Sequence, residues 1–241
     1  MSPDARDAAP VMPGGGVARR PLHFIIMADC SGSMTGERMQ ALNYAIADML
    51  PQLAEWERDQ LVAQVLVRVL SFATVPVWHV PDPVPVSQLR WKALQAVEGG
   101  YTNMGPAFRE VAAAIGPDKL ENRALRPAIL LVTDGRPTDL GDEFSAGLNA
   151  LLSFPAGRAS LRLAIAIGHD AKSESLDQFI GDPTVPVIVA GNTEEIAERL
   201  VAASIAVSRL SEGGADHGAL VSQLLGTGSG GPEDSEDHTI V

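Results

Sequence analysis

The chain has a single cysteine, Cys30, among its 241 residues. That excludes an internal disulfide and a thiolate metal cluster built within the chain. Basic charge is also scarce: 18 Lys and Arg stand against 30 Asp and Glu, for a formal net charge of -12. Nucleic-acid binding needs a basic face or arm, and none is present; the balance suits cations or basic protein surfaces. No segment holds the roughly eighteen apolar residues of a membrane span, and the N-terminus has no apolar core of signal-peptide length. The expectation is a cytoplasmic protein with neither a membrane nor a nucleic-acid partner. No glycine-rich loop with a lysine suggests nucleotide phosphates. The five histidines, His23, His79, His169, His217 and His238, form no metal-binding tract.

What is present is a chain 46% apolar and 20% charged, ordinary for a soluble globular protein. Its length suits one α/β domain of roughly 180 to 200 residues, a core that needs neither disulfide nor structural zinc. Residues 1–20, rich in Pro, Gly and Ala, read as a disordered leader. Residues 211–241 carry six Asp and Glu and no Lys or Arg, and read as a largely disordered acidic tail with an apolar island at 219–225. The folded domain is expected over 21–210.

Within it, strand-like and helix-like segments alternate. Apolar or β-branched runs at 22–28, 64–72, 74–80, 127–133, 161–168 and 185–189 suggest strands, the second lying nearer the sheet edge because Arg68 interrupts it. Spacings of three and four suggest helices from Glu37 through Leu53, at 105–115, 143–152 and 173–180, and at 193–210, the last capped by Thr193. Pro51 is expected to kink or break the first helix, and PDPVPV (81–86) to form an irregular link. Strands apolar on both faces and separated by helices describe an α/β fold: a doubly wound, mostly parallel central sheet with helices on both faces and one short antiparallel edge strand. Such a fold binds its ligand beyond the carboxyl ends of the strands, at a switch point in their order.

Three polar segments fall at that rim. FIIMADCSGSM (24–34) ends a buried strand on Asp29, Ser31 and Ser33; LLVT runs into Asp134 and Gly135; and Thr102 lies just before a helix. Two carboxylates alone would repel. With the hydroxyls of Ser31, Ser33 and Thr102 they make an all-oxygen shell suited to a hard divalent cation, Mg²⁺ or else Mn²⁺ or Ca²⁺. Alternation lets a looping backbone aim every second side chain into one space. Two plainer readings stay open: Ser31, Ser33 and Thr35 as helix caps, and Asp134-Gly135 as a common turn. A nucleophilic Cys30 needs a partnered base, and no histidine has the spacing to supply it.

The three motifs resemble those of the von Willebrand factor type A (VWA) family, whose metal-ion-dependent adhesion site (MIDAS) reads Asp-x-Ser-x-Ser, then Thr, then Asp. Asp29, Ser31 and Ser33 match the first motif, Thr102 in GGYTNMGPAF the second and Asp134 in LLVTDGRPTD the third, and the resemblance runs over about 22–210. It implies a Rossmann-like VWA domain. It implies a metal touched directly or through water by Asp29, Ser31, Ser33 and Thr102, with Asp134 acting through water. It also implies a partner whose Glu or Asp side chain completes the coordination. TDGRPTD and GGYTNMG look most like the stand-alone bacterial VWA proteins associated with tellurite resistance, implying a signalling setting with a kinase or phosphatase as partner. Thr35, Tyr101, Met104, Arg136 and Pro137 are the expected rim. Tyr101 and Met104 stand where the family often has small residues, which changes the rim's shape without removing a ligand.

The expected function is therefore metal-dependent protein binding, with no catalytic residue. The competing readings are a metal-assisted phosphohydrolase with Asp29 as the nucleophile, and a structural domain whose metal site goes unused. Against the hydrolase, Ser31 stands where a second Asp would be wanted, and Lys119 and Lys172 follow no matching element. The tail carboxylates Glu233, Asp234, Glu236 and Asp237 could occupy the site in cis; solubility is their simpler role.

Overall fold

A computed structural model describes residues 19–139, 141–168 and 174–211. The readings placed on 1–18, His169, Lys172 and the tail lie outside the described residues, as does the side chain of Thr193. Strand β1 (Arg20–Asp29) is the spine of the sheet, with every side chain from Leu22 to Ala28 buried. It pairs in parallel with β2 (Ala63–Phe72) on one side and β4 (Ala128–Thr133) on the other. Beyond β4 follow β5 (Leu161–Ile167) and β6 (Ile188–Ala190), both parallel, while β3 (Pro76–Pro85) runs antiparallel along β2 at the far edge. The six-stranded order is β3-β2-β1-β4-β5-β6. Helices α1 (Glu37–Asp59) and α6 (Thr193–Ser211) pack together, and α2 (Met104–Ile115) packs on α3 (Glu143–Leu152). Short helices α4 (Pro155–Ala159) and α5 (Glu174–Ile180) flank β5. This is the doubly wound α/β architecture that the alternation of segments implies.

Two local readings change in the structure, for physical reasons. Pro51 does not break α1, which continues for 23 residues. Pro51 is exposed while Leu50 and Leu53 are buried, so the hydrogen bond it removes lies on the wet side and packing holds the rest. PDPVPV is not a loose link either. Its first five residues, 81–85, form the second half of β3, a strand that bears Pro76, Pro81, Pro83 and Pro85. An edge strand tolerates proline because one of its sides has no ladder to complete, and proline also blunts that edge against pairing. The sheet edge is thus β3, with β2 one place inside it. Arg68 fits there because its guanidinium donates twice to the Ala114 carbonyl, both at 3.2 Å, in the last turn of α2, and lies 5.7 Å from the Trp78 ring centre.

Strand order reverses at β1: the chain winds toward β2 and β3 on one side and β4 to β6 on the other. The crevice between the carboxyl ends of β1 and β4 is the switch point where a doubly wound sheet binds its ligand.

Candidate metal centre

Asp29 is the last residue of β1, and the register Ala28↔Val132 sets it beside Thr133 at the end of β4. It is fully buried. One carboxylate oxygen accepts the Ser31 N–H at 2.8 Å and the other the Thr133 hydroxyl at 2.6 Å. Burial pushes the Asp29 carboxyl above its ordinary range, and the negative charge of Asp134 adds to this; the hydrogen bonds from Ser31 and Thr133 oppose it.

After Asp29 the backbone is pinned on both sides. The Cys30 N–H donates to Phe72 O at 2.7 Å, and the Cys30 carbonyl accepts the Val97 N–H at 2.7 Å. The Gly32 N–H donates to Gly100 O at 3.0 Å, and a Cβ at Gly32 would stand 3.1 Å from the Gly99 nitrogen. A side chain there would have to push the 99–100 backbone back by a few tenths of an ångström, so glycine suits this close approach. Cys30 turns into the core and Gly32 against residues 99–100, leaving Ser31 and Ser33 for the crevice. The hydroxyls of Ser31 and Ser33 lie 3.0 Å apart, and Ser33 donates to Asp134 Oδ1 at 2.8 Å. Helix capping is not what these serines do. Ser31 makes no side-chain capping bond to the 3-10 turn Gly32–Met34, and α1 begins from Gly36.

Thr102 is buried just before α2, held through its backbone: its N–H donates to Thr138 Oγ1 at 2.8 Å, and its carbonyl accepts the Thr138 N–H at 2.9 Å. Its neighbours Tyr101 and Asn103 tie to Thr74 and Ala73 in the β2–β3 turn. The structure therefore joins Ser31, Ser33 and Asp134 in one hydrogen-bonded chain and sets Asp29 beside it. Thr102 comes to the same rim without a hydrogen bond to those side chains. Of the expected rim residues, Thr35, Tyr101 and Arg136 are exposed and Pro137 is half-buried. Met104 is a correction: as the first residue of α2 it is fully buried in the core and offers a partner no surface.

Three residues the sequence reading passed over belong to this centre. Thr133 holds Asp29. Asp139 accepts the N–H groups of Met104 at 2.9 Å and Gly105 at 2.8 Å, fixing the start of α2 behind Thr102. Arg38 forms an ion pair with Asp134 Oδ2 and donates to the Ser33 carbonyl at 3.3 Å. A sequence signal for Arg38 existed: it is a cation in the first turn of a helix, where the dipole favours an anion.

The donors suit a hard cation. They are carboxylate and hydroxyl oxygens, and among the described residues no group of three or more His, Cys, Asp or Glu gathers to form a softer or all-carboxylate site.

Solved structures carry the same architecture. The ArnB paralog VWA2 of Sulfolobus acidocaldarius is 15% identical, with a TM-score of 0.55 over 76% of this chain and 45% of that one. The fold is the VWA fold. A von Willebrand factor type A protein from Catenulispora acidiphila is 16% identical at a TM-score of 0.54, covering 78% of this chain and 43% of that one. Proximal thread matrix protein 1 of the mussel byssus, solved with zinc in its MIDAS motif, is 15% identical at 0.57, covering 79% and 48%. The chain spans less than half the length of each of these three. No protein-family model matches the sequence, and neither does any curated protein. In this VWA fold the Asp29 crevice occupies the sheet's switch point. Among the described residues, no helix is long and apolar enough to cross a membrane.

Proposed function

We propose that the chain is a metal-ion-dependent protein–protein interaction module. Asp29, Ser31, Ser33, Thr102 and Asp134 hold a divalent cation, Mg²⁺ by the hardness of the donors, and a protein partner adds the carboxylate of a Glu or Asp. When bound, the cation supplies an electrophilic position that a carboxylate fills, giving a small footprint a strong charge-assisted contact. The observation that carries this reading is the continuous chain Ser31–Ser33–Asp134 beside buried Asp29. It is supported by the zinc-occupied MIDAS of the mussel protein. Thr35, Tyr101, Arg136 and Pro137 surround the position and select the partner.

Binding is favoured over turnover by the state of the two candidate nucleophiles. Both Asp29 oxygens accept hydrogen bonds in a buried site, which weighs against an attacking carboxylate. Burial and the charge of Asp29 push the Cys30 thiol up to about 12, so no thiolate forms near neutral pH. TDGRPTD and GGYTNMG favour a bacterial signalling or stress-response setting in the cytoplasm, with a protein kinase or phosphatase as partner.

Calorimetric titration of Mg²⁺ and Mn²⁺ into chelator-stripped protein tests the reading. One saturable site is expected, lost in Asp29→Ala. Absence of binding up to millimolar metal in the wild type would overturn it in favour of a structural domain. Metal-dependent hydrolysis of a generic phosphoester would favour the hydrolase.

A further inference from the structure

Arg38 stands in the second position of α1, beside Glu37. A cation there works against the helix dipole, so its placement calls for a compensating partner. That partner is Asp134. The Arg38 side chain is half exposed, whereas the Asp134 side chain beneath it has no exposure. Asp134 thus has one oxygen on the Ser33 hydroxyl and the other on a guanidinium. The arrangement answers an electrostatic problem of the metal-free crevice, where two carboxylates sit at the ends of adjacent strands in partly dry surroundings. A full positive charge already neutralises one of them.

We propose that Arg38 is an internal cation that competes with the divalent metal for Asp134, so that loading of the centre requires the guanidinium to give up this carboxylate and Arg38 sets the metal affinity. The proposal rests on the reading of the crevice as a divalent-cation centre. Its physical basis is direct: a fixed positive charge on a carboxylate that serves the metal both occupies an acceptor and repels the incoming charge. Arg38 is well suited to yield, because its half-exposed head returns to water without opening the core.

The test compares calorimetric titration of Mn²⁺ into the wild type, Arg38→Gln, Arg38→Lys and the double variant Arg38→Gln with Asp29→Ala. Arg38→Gln is expected to bind roughly tenfold tighter than wild type at low salt, the gap narrowing as salt screens the half-exposed charge. Arg38→Lys keeps the charge and stays within about threefold of wild type. The double variant does not bind. Equal or weaker binding by Arg38→Gln, with the wild type still binding, overturns the competition and leaves the metal centre standing. No binding by either the wild type or Arg38→Gln removes the metal centre and the proposal together. Should Arg38→Gln fail to fold, the wild type answers by NMR. The Arg38 Nε–H resonance is expected to shift and exchange faster with water as Mg²⁺ is added, and an unmoved resonance at saturating Mg²⁺ refutes the proposal.

Discussion

Thr133 donates its hydroxyl to Asp29 at 2.6 Å where neither residue has any exposed surface. Valine has nearly the same shape and lacks the hydroxyl. Thr133→Val therefore leaves a buried carboxylate oxygen without its donor, and unfolding free energy is expected to fall by about 1–3 kcal/mol in the metal-free protein at neutral pH. Denaturant titration checks this; an unchanged midpoint would mean that water replaces the hydroxyl. The five oxygen-bearing residues proposed for the centre were legible in the sequence as candidates because each lies in a short local pattern at a strand end or helix start. Thr133 was not, and Arg38 was marked only by its charge at a helix start, because their partners lie 104 and 96 residues away. Only the pairing of β1 with β4 brings them together. Met104 was misplaced for a related reason: one step from Asn103, the chain has already turned into α2, and the side chain points into the core.

At the scale of elements, α2 has no cap of its own. Asn103 makes no side-chain capping bond, and the Asp139 carboxylate, from the loop after β4, takes the first N–H groups instead. One carboxylate thereby ties the segment carrying Asp134 to the helix that follows Thr102. Gly105 seals the junction: a Cβ there would collide with the Glu143 carbonyl at the start of α3. Asp139→Ala is expected to lower stability by about 1–2 kcal/mol, the range of a lost N-cap, and to weaken Mn²⁺ binding severalfold through Thr102. Asp139→Asn, which keeps an acceptor, is expected to fall between. Thermal unfolding and titration on the same samples separate the two effects, and a destabilised variant with unchanged metal affinity would show that Thr102 is positioned independently of the cap. Helix periodicity and unbroken apolar strand runs made the order of elements readable, since a helix buries one face and a central strand such as β1 or β4 buries both. The bounds of β3 and the continuity of α1 were not readable, because edge position and solvent exposure decide what a proline does, and both are properties of the assembled sheet.

At the scale of the whole molecule, the sheet separates two charged clusters. Asp29 and His23 are six residue steps apart along β1, roughly 20 Å of strand. His23 is buried and its Nε2 lies 2.7 Å from Glu121 Oε2, with Arg68 3.5 Å from its other nitrogen. Burial, with a smaller contribution from Arg68, holds His23 below its ordinary value, although the Glu121 hydrogen bond and charge pull it the other way. Glu121 is held below its own ordinary range, chiefly by the hydrogen bond to His23. For both groups the unfolded chain takes up its proton at a higher pH than the folded chain, so acid favours unfolding. His23 contributes stability above about pH 6.5 that is lost as pH falls below it. Glu121 adds a further loss in the carboxylate range, reduced because its side chain is half exposed. Asp29, raised by burial, runs in the opposite direction over that range in metal-free protein. Comparing two proteins that share Asp29 cancels its contribution. Urea unfolding of the wild type from about pH 7 to pH 5 is therefore expected to show a falling free energy, and His23→Gln to show a flatter line over the same window. Mn²⁺ affinity near pH 7 should be the same in both, since the substitution lies at the far end of β1 from the metal centre. An identical slope in the two proteins would mean that Glu121 keeps the imidazolium as well solvated inside the fold as outside it; a changed metal affinity would mean that β1 transmits strain along its length.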